Sequence, residues 1–208
     1  MVTRDFMPGS GNIFPMDHND HVNLLRPANL SPGASYADFG AGSGAFTLAL
    51  RELLGLSADI YAVDRDKVRL SELERAHRAR FGTSDHLHLI PADFTRALTL
   101  PLLDGVLMAN SLHFFRDKEK VLKHVAAFLK PGGALLLVEY NVDRGNPWVP
   151  HPLPFESFGE LAPRAGFSEP HLLATHPSRF LKEFYSALAF RSFGLRLRPY
   201  QPRHTYHQ

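Results

Sequence analysis

Short apolar runs alternating with amphipathic segments predict an α/β fold built on a parallel, doubly wound sheet. Three stretches carry that expectation. Tyr36–Phe39 is a short run that enters a glycine turn, Gly40-Ala41-Gly42-Ser43-Gly44, and an amphipathic segment follows. Ala58–Val63 ends in Asp64 and leads into a second, charged amphipathic segment. Ala134–Tyr140 is apolar almost throughout, as expected of a strand covered on both faces. A chain of 208 residues is long enough for one such domain with a well-buried core.

The first 16 residues hold Pro8, Gly9, Gly11 and Pro15 and predict irregular structure. Asp17–Arg26 predicts a short helix closed by Pro27, with Val22, Leu24 and Leu25 as its contacts. After the first strand, Phe46, Leu50, Leu53 and Leu54 recur at helical spacing, and Gly55 ends that helix. Asp66–Arg80 predicts a helix with Leu70, Leu73 and His77 on one stripe and Glu74–Arg78 as an i,i+4 pair. His86–Ile90 and Gly105–Ala109 predict strands three and four. Lys118–Lys130 predicts a helix capped by Asp117 and stopped at Pro131-Gly132-Gly133. Strand five follows. Phe155–Gly166 reads as a helix, and His171–Thr175 with Glu183–Phe190 as an antiparallel hairpin.

Bulk properties exclude several classes. A formal charge of +2 is too small to imply nucleic-acid binding, although the pI near 9.0 does not forbid it. With no cysteine there is no disulfide, zinc–thiolate site or thiol nucleophile. No apolar run approaches the ~20 residues of a membrane helix, and Met1–Gly11 does not read as a signal peptide. The expectation is a cytoplasmic enzyme. His18 and His21, flanked by Asp17 and Asp20, could suggest a metal site, but one polar helical turn is usually a solvated face, so no metal is expected.

The glycine turn carries the chemistry. Glycine suits a sharp strand-to-helix turn and lets a ligand approach the backbone, and the helix beyond points free N–H groups at it. A P-loop is excluded because no Gly-Lys-Ser/Thr closes the motif. Gly40-x-Gly42-x-x-Ala45 satisfies the looser dinucleotide form. Asp38-Phe39-Gly40-Ala41-Gly42-Ser43-Gly44 also fits acid-x-Gly-x-Gly-x-Gly without a gap. The acid separates the two: a carboxylate repels a diphosphate but favours a ligand carrying an ammonium and a sulfonium.

On these residues the chain resembles the class I S-adenosylmethionine-dependent methyltransferases, from about residue 20 to about residue 190, and within them the group that acts on small molecules. The resemblance implies a single Rossmann-like, seven-stranded sheet of order 3-2-1-4-5-7-6 with an antiparallel last strand. It implies an N-terminal segment and helix (1–30) acting partly as a lid through Phe14, Met16, His18 and His21, and a cofactor-binding domain (31–190). The remainder, 191–208, holds Arg196, Arg198, Arg203, His204 and His207 and is expected to be a loose basic tail.

Candidate site residues follow the strand ends. Asp38 faces the methionine end of the cofactor, with Phe39, Gly40, Gly42 and Gly44 forming its loop. Asp64 lies twenty residues beyond Gly44, where an acid can accept hydrogen bonds from both ribose hydroxyls. Arg65 could lie along the adenine face or be a plain surface arginine. Asp93 can accept from the adenine amino group while Phe94 covers the base; the competing reading is a cap on a helix starting at Phe94-Thr95. Asn110 ends strand four at the rim nearest the methyl. His113 is the candidate general base, against a plain polar residue at a helix start. Asn110-Ser111-Leu112-His113 lacks the Asp/Asn-Pro-Pro-aromatic pattern of enzymes acting on exocyclic base amines, which counts against a DNA or RNA amino acceptor. Glu139, Tyr140, Arg144, Trp148 and His151 are candidate walls of an acceptor pocket, with Tyr140 and Trp148 singled out as substrate contacts.

The expected reaction is in-line methyl transfer from S-adenosylmethionine to a small organic acceptor. Three alternatives stay open: a non-catalytic S-adenosylmethionine-binding regulator, an RNA methyltransferase using the basic tail, and an NAD-linked oxidoreductase, which gives Asp38 and Asp93 no role. Oligomeric state is not legible.

Overall fold

The computed structural model describes residues 16–178 and 180–193. Seven strands form one sheet of order β3-β2-β1-β4-β5-β7-β6. These are β1 (Tyr36–Phe39), β2 (Ile60–Asp64), β3 (Leu87–Pro91), β4 (Leu103–Ala109), β5 (Leu129–Tyr140), β6 (His171–Pro177) and β7 (Glu183–Phe190). Strands β1 to β5 run parallel, and β7 is antiparallel to both β5 and β6. This is the expected order. Parallel pairing brings the carboxyl ends of β1, β2, β4 and β5 to one edge, where ligands of such sheets bind.

Both faces are covered, and the pleat decides which residue goes where. Ala37 and Phe39 of β1 join a core with Val106 and Met108 of β4, α4 (Lys118–Ala126) and α5 (Phe155–Arg164). Tyr36 joins the opposite core with Leu107, Leu136, α1 (His18–Leu25) and α2 (Ala45–Leu54). α3 (Lys67–Phe81) adds Leu70 and Leu73 beside β2. Asp17 and Asp20 prove to be the capping box of α1, each accepting from the other's backbone N–H at 2.9 Å. Among the described residues no three His, Cys, Asp or Glu side chains group to hold a metal.

The largest departure from the expected boundaries is at the junction of α4 and β5, while β2, β4, α5 and β6 differ by one or two residues at an end. α4 stops at Ala126, and β5 starts at Leu129 and runs through Pro131-Gly132-Gly133. Leu129 is fully buried opposite Leu103, which rewards early pairing. Gly132 takes φ 74° and the ladder shifts register between Leu103 and Gly105, so Pro131-Gly132 makes a bulge rather than a stop.

Arg51 is a buried residue that helical periodicity did not reveal. It is 1% exposed on the inner face of α2. Its guanidinium donates to the carbonyls of Gly55, Ala58 and His86, and its Nε donates to His77 Nε2 at 3.0 Å. It thereby closes the α2–β2 and α3–β3 connections from inside. Burial holds His77 below its ordinary range, so the neutral ring can accept from Arg51 while Nδ1 donates to the Thr83 carbonyl.

The glycines of the turn differ in what confines them. Gly44, the N-cap of α2, has φ 93°, and a Cβ there would stand 2.1 Å from Leu73 Cδ1. Gly42 has φ 55° with nothing within 4 Å. Gly44→Ala is therefore expected to cost about 3 kcal/mol from left-handed strain plus overpacking, and Gly42→Ala only about 1 kcal/mol. Urea unfolding of the two variants checks this; equal losses would contradict it.

Candidate active site

The glycine turn is hooked to the end of β2. Gly40 and Ala41 donate to the Val63 carbonyl at 2.8 and 3.2 Å, and Gly42 N donates to Asp64 Oδ2 at 2.9 Å. Asp64 Oδ1 accepts from Asp66 N at 2.9 Å, and Asp66 caps α3. Asp64 is thus locked at the rim with lone pairs to spare. On the other side the turn abuts β4: a Cβ on Gly40 would lie 2.7 Å from Ser111 Cβ. Only Gly42 faces open space.

Asp38 lies beneath this turn. It is 2% exposed, and Oδ2 accepts from Thr47 Oγ1 at 2.6 Å on the inner side of α2. Burial pushes its carboxyl up to about 7; the Thr47 hydrogen bond opposes this and the Asp64 charge adds to it.

Phe39 is fully buried and stacks on Phe94 at 5.1 Å and 4°; Phe94 also meets Phe115 edge-on at 5.6 Å. These two rings fill the core below the turn, and no helix starts at Phe94-Thr95. Asp93 Oδ1 instead closes a tight turn, accepting from Thr95 N and Oγ1 at 3.0 and 2.6 Å. Burial works against its charge, but the Thr95 bonds, with Arg65 and Arg96, hold it below the usual carboxylate range. Arg65 itself is exposed.

At the end of β4 Asn110 adopts φ 51°, a left-handed conformation strained for a residue with a side chain. Its N–H donates to the Val138 carbonyl, while Asn110 Oδ1 and Ser111 Oγ are buried without a hydrogen-bond partner among the described residues. Such groups cost about 1–3 kcal/mol each. Ser111 Oγ sits beside Gly40, where a ligand on the turn would meet it.

His113 follows in a short 3-10 turn, Leu112–Phe114. Its Nδ1 lies 2.6 Å from Glu139 Oε2, and Glu139 Oε1 accepts from the N–H groups of Leu112 and His113 at 2.9 and 3.1 Å. Glu139 is fully buried and His113 is 3% exposed. Facing a carboxylate, Nδ1 carries the hydrogen and Nε2 is left as the acceptor. Tyr140 packs on Phe184 at 4.2 Å, and burial, with the Glu139 charge, pushes its hydroxyl up to about 12.

A methyltransferase domain family matches residues 37–135. Over that stretch the chain is similar to the class I S-adenosylmethionine-dependent methyltransferases. It is 29% identical over 175 residues to an arsenite methyltransferase of Aquipseudomonas alcaligenes, covering 74% of this chain and 49% of that one. It is 30% identical over 139 residues to a ubiquinone/menaquinone biosynthesis C-methyltransferase of Hahella chejuensis, covering 66% and 55%. The chain thus spans about half the length of the curated relatives it matches. In fold it is similar to a SAM-dependent methyltransferase from Aquifex aeolicus, with TM-score 0.64 at 19% identity, covering 83% and 89% of the two chains.

The leading helix α1 is anchored on α2. His18 bonds Glu52 of α2 at 2.7 Å and His21 meets Phe46 edge-on at 4.7 Å. Phe14 and the tail beyond residue 193 lie outside the described residues. Arg191 pairs with the Gly132 and Gly133 backbone, extending the ordered sheet past residue 190. No described helix is long and apolar enough to cross a membrane. The sequence reading made Glu139 only a pocket wall and missed its bond to His113. It also missed Phe180, which lies 5.9 Å from Tyr140 and 6.1 Å from Trp148. The Glu139-Tyr140 pair at a strand end was the one available signal.

Proposed function

We propose that the chain binds S-adenosylmethionine on the glycine turn and transfers its methyl group, by in-line displacement, to a small organic acceptor. The observation that carries this is Ser111 Oγ, buried without a hydrogen-bond partner among the described residues and next to Gly40 of a turn whose Gly42 faces open space, with Asn110 Oδ1 of the neighbouring residue equally unpartnered. The surrounding charges suit this cofactor. Asp38, Asp64 and Asp93 would hold a cationic, phosphate-free ligand and would repel a diphosphate.

When bound, S-adenosylmethionine supplies an electrophilic methyl on a sulfonium. The chain's residues do the rest. Asp64 takes the ribose hydroxyls, Asp93 the adenine amino group with Arg65 alongside, and the amide groups of the turn line the methionine end. Asn110 orders the rim. His113 Nε2 accepts a proton from the acceptor, with Glu139 holding the ring. Alignment and dryness supply most of the acceleration.

Calorimetric titration with S-adenosylhomocysteine, S-adenosylmethionine and NAD tests this reading. Asp64→Ala is expected to weaken both adenosyl ligands roughly 10- to 100-fold, the worth of charge-assisted hydrogen bonds. Tighter binding of NAD, or indifference to the substitution, would sink the reading.

A further inference from the structure

Two aromatic rings flank the His113 imidazole, and two more extend outward from one of them. Tyr140 lies 6.3 Å from the His113 ring and Phe114 lies 4.3 Å from it. Phe180, from the β6–β7 connection, meets Tyr140 edge-on at 5.9 Å, and Trp148 meets Phe180 edge-on at 6.1 Å. The chain of rings therefore runs from solvent inward to the imidazole. Trp148 and Phe114 are each 39% exposed, a costly position for large rings unless a ligand covers them. Such edges and faces select a flat π system over a saturated chain.

The base adds a second constraint. Soft nucleophiles need no proton acceptor, whereas a neutral hydroxyl does. Here Glu139 is spent on three bonds that fix one tautomer of one histidine. His113 Nε2 hydrogen-bonds no other described residue and is free to take a proton.

We infer that the acceptor is a hydroxyl on a planar aromatic ring, a phenol, held between Phe114, Tyr140, Trp148 and Phe180 with its oxygen on His113 Nε2. This rests on the methyl-transfer reading and names its acceptor class. The proton step balances within the site. The phenolic O–H bond breaks, its electron pair stays on oxygen, and the proton forms an N–H bond at Nε2. The imidazolium keeps its Nδ1–H on Glu139.

The test uses 4-nitrophenol, whose phenolate absorbs in the visible, and cyclohexanol as the saturated control, each titrated into the full chain with and without S-adenosylhomocysteine. The expected result is saturable 4-nitrophenol binding at least tenfold tighter than cyclohexanol, with the bound dye ionising at lower pH than free dye. Phe180→Ala and, independently, the solvent-facing Trp148→Ala should each weaken it roughly tenfold, the worth of one ring contact, and leave S-adenosylhomocysteine affinity unchanged. His113→Gln should abolish the ionisation shift. Equal binding of the two alcohols, or indifference to both ring deletions, while S-adenosylhomocysteine still binds, overturns the phenol assignment alone. Absence of S-adenosylhomocysteine binding overturns the methyl-transfer reading and this inference with it.

Discussion

Glu139→Gln is expected to fold close to wild type and to slow methyl transfer to a hydroxyl acceptor by about 10²–10⁴-fold, the range of a lost general base. The amide keeps one oxygen for the N–H groups of Leu112 and His113. Its NH₂ then faces His113 Nδ1, where Oε2 stood at 2.6 Å. Two donors cannot share that gap, so the ring shifts its hydrogen to Nε2 and loses its acceptor there. Glu139→Ala behaves differently. It strands three buried donors at once and is expected to cost about 3–5 kcal/mol in urea unfolding. A glutamine variant with wild-type rate on a phenol would show that His113 is not the base.

Asp38→Asn is expected to stabilise the ligand-free protein in a pH-dependent way. The folded carboxyl titrates at about 7 against an ordinary 3.8. Below the ordinary value both states hold the proton and the group has no effect. As pH rises from about 4 to about 7 the unfolded chain has already released its proton while the folded chain keeps it. Folding is thereby weakened by about 1.4 kcal/mol per pH unit, roughly 4 kcal/mol in all, with no further change above about 7. Asparagine removes the titration, so the melting-temperature gap between variant and wild type should open between pH 4 and 7 and then stay constant. On the proposed function the cationic cofactor offsets this cost by favouring ionised Asp38. Binding at pH 6 should then release a proton, seen as a heat that varies with buffer ionisation enthalpy, and Asp38→Asn should bind more weakly despite folding better. A flat melting gap across the window would contradict the assignment.

The two variants also separate what is local from what is not. The Asp38–Gly44 turn, Asp64 and Asp93 were legible because each follows a short strand, and a parallel sheet brings such ends to one edge whatever the side chains do. The β7 bounds, Glu183–Phe190, were legible for a similar reason: a run of high strand propensity between turn residues. The end of α4 was not, because Leu129 gains more from pairing with Leu103 than from another helical turn, a choice that depends on a partner 26 residues away in sequence. The stacking of Phe94 on Phe39 was not legible either, because it joins two segments far apart in sequence.

The sequence by itself determined the fold class, the strand order through its family resemblance, and the acids and glycines placed at the sheet's edge, since these follow from motifs a few residues long. Tertiary structure alone decided the partners. Parallel pairing of Ala109 with Val138 sets Glu139 against His113, and antiparallel pairing of Tyr140 with Phe184 draws the Phe180 connection over the same spot. It also buried Asp38 against Thr47 and left Asn110 Oδ1 and Ser111 Oγ without partners among the described residues. Local rules act over a helical turn or a strand's length, whereas hydrogen-bond partners and desolvation depend on register between segments far apart in the chain.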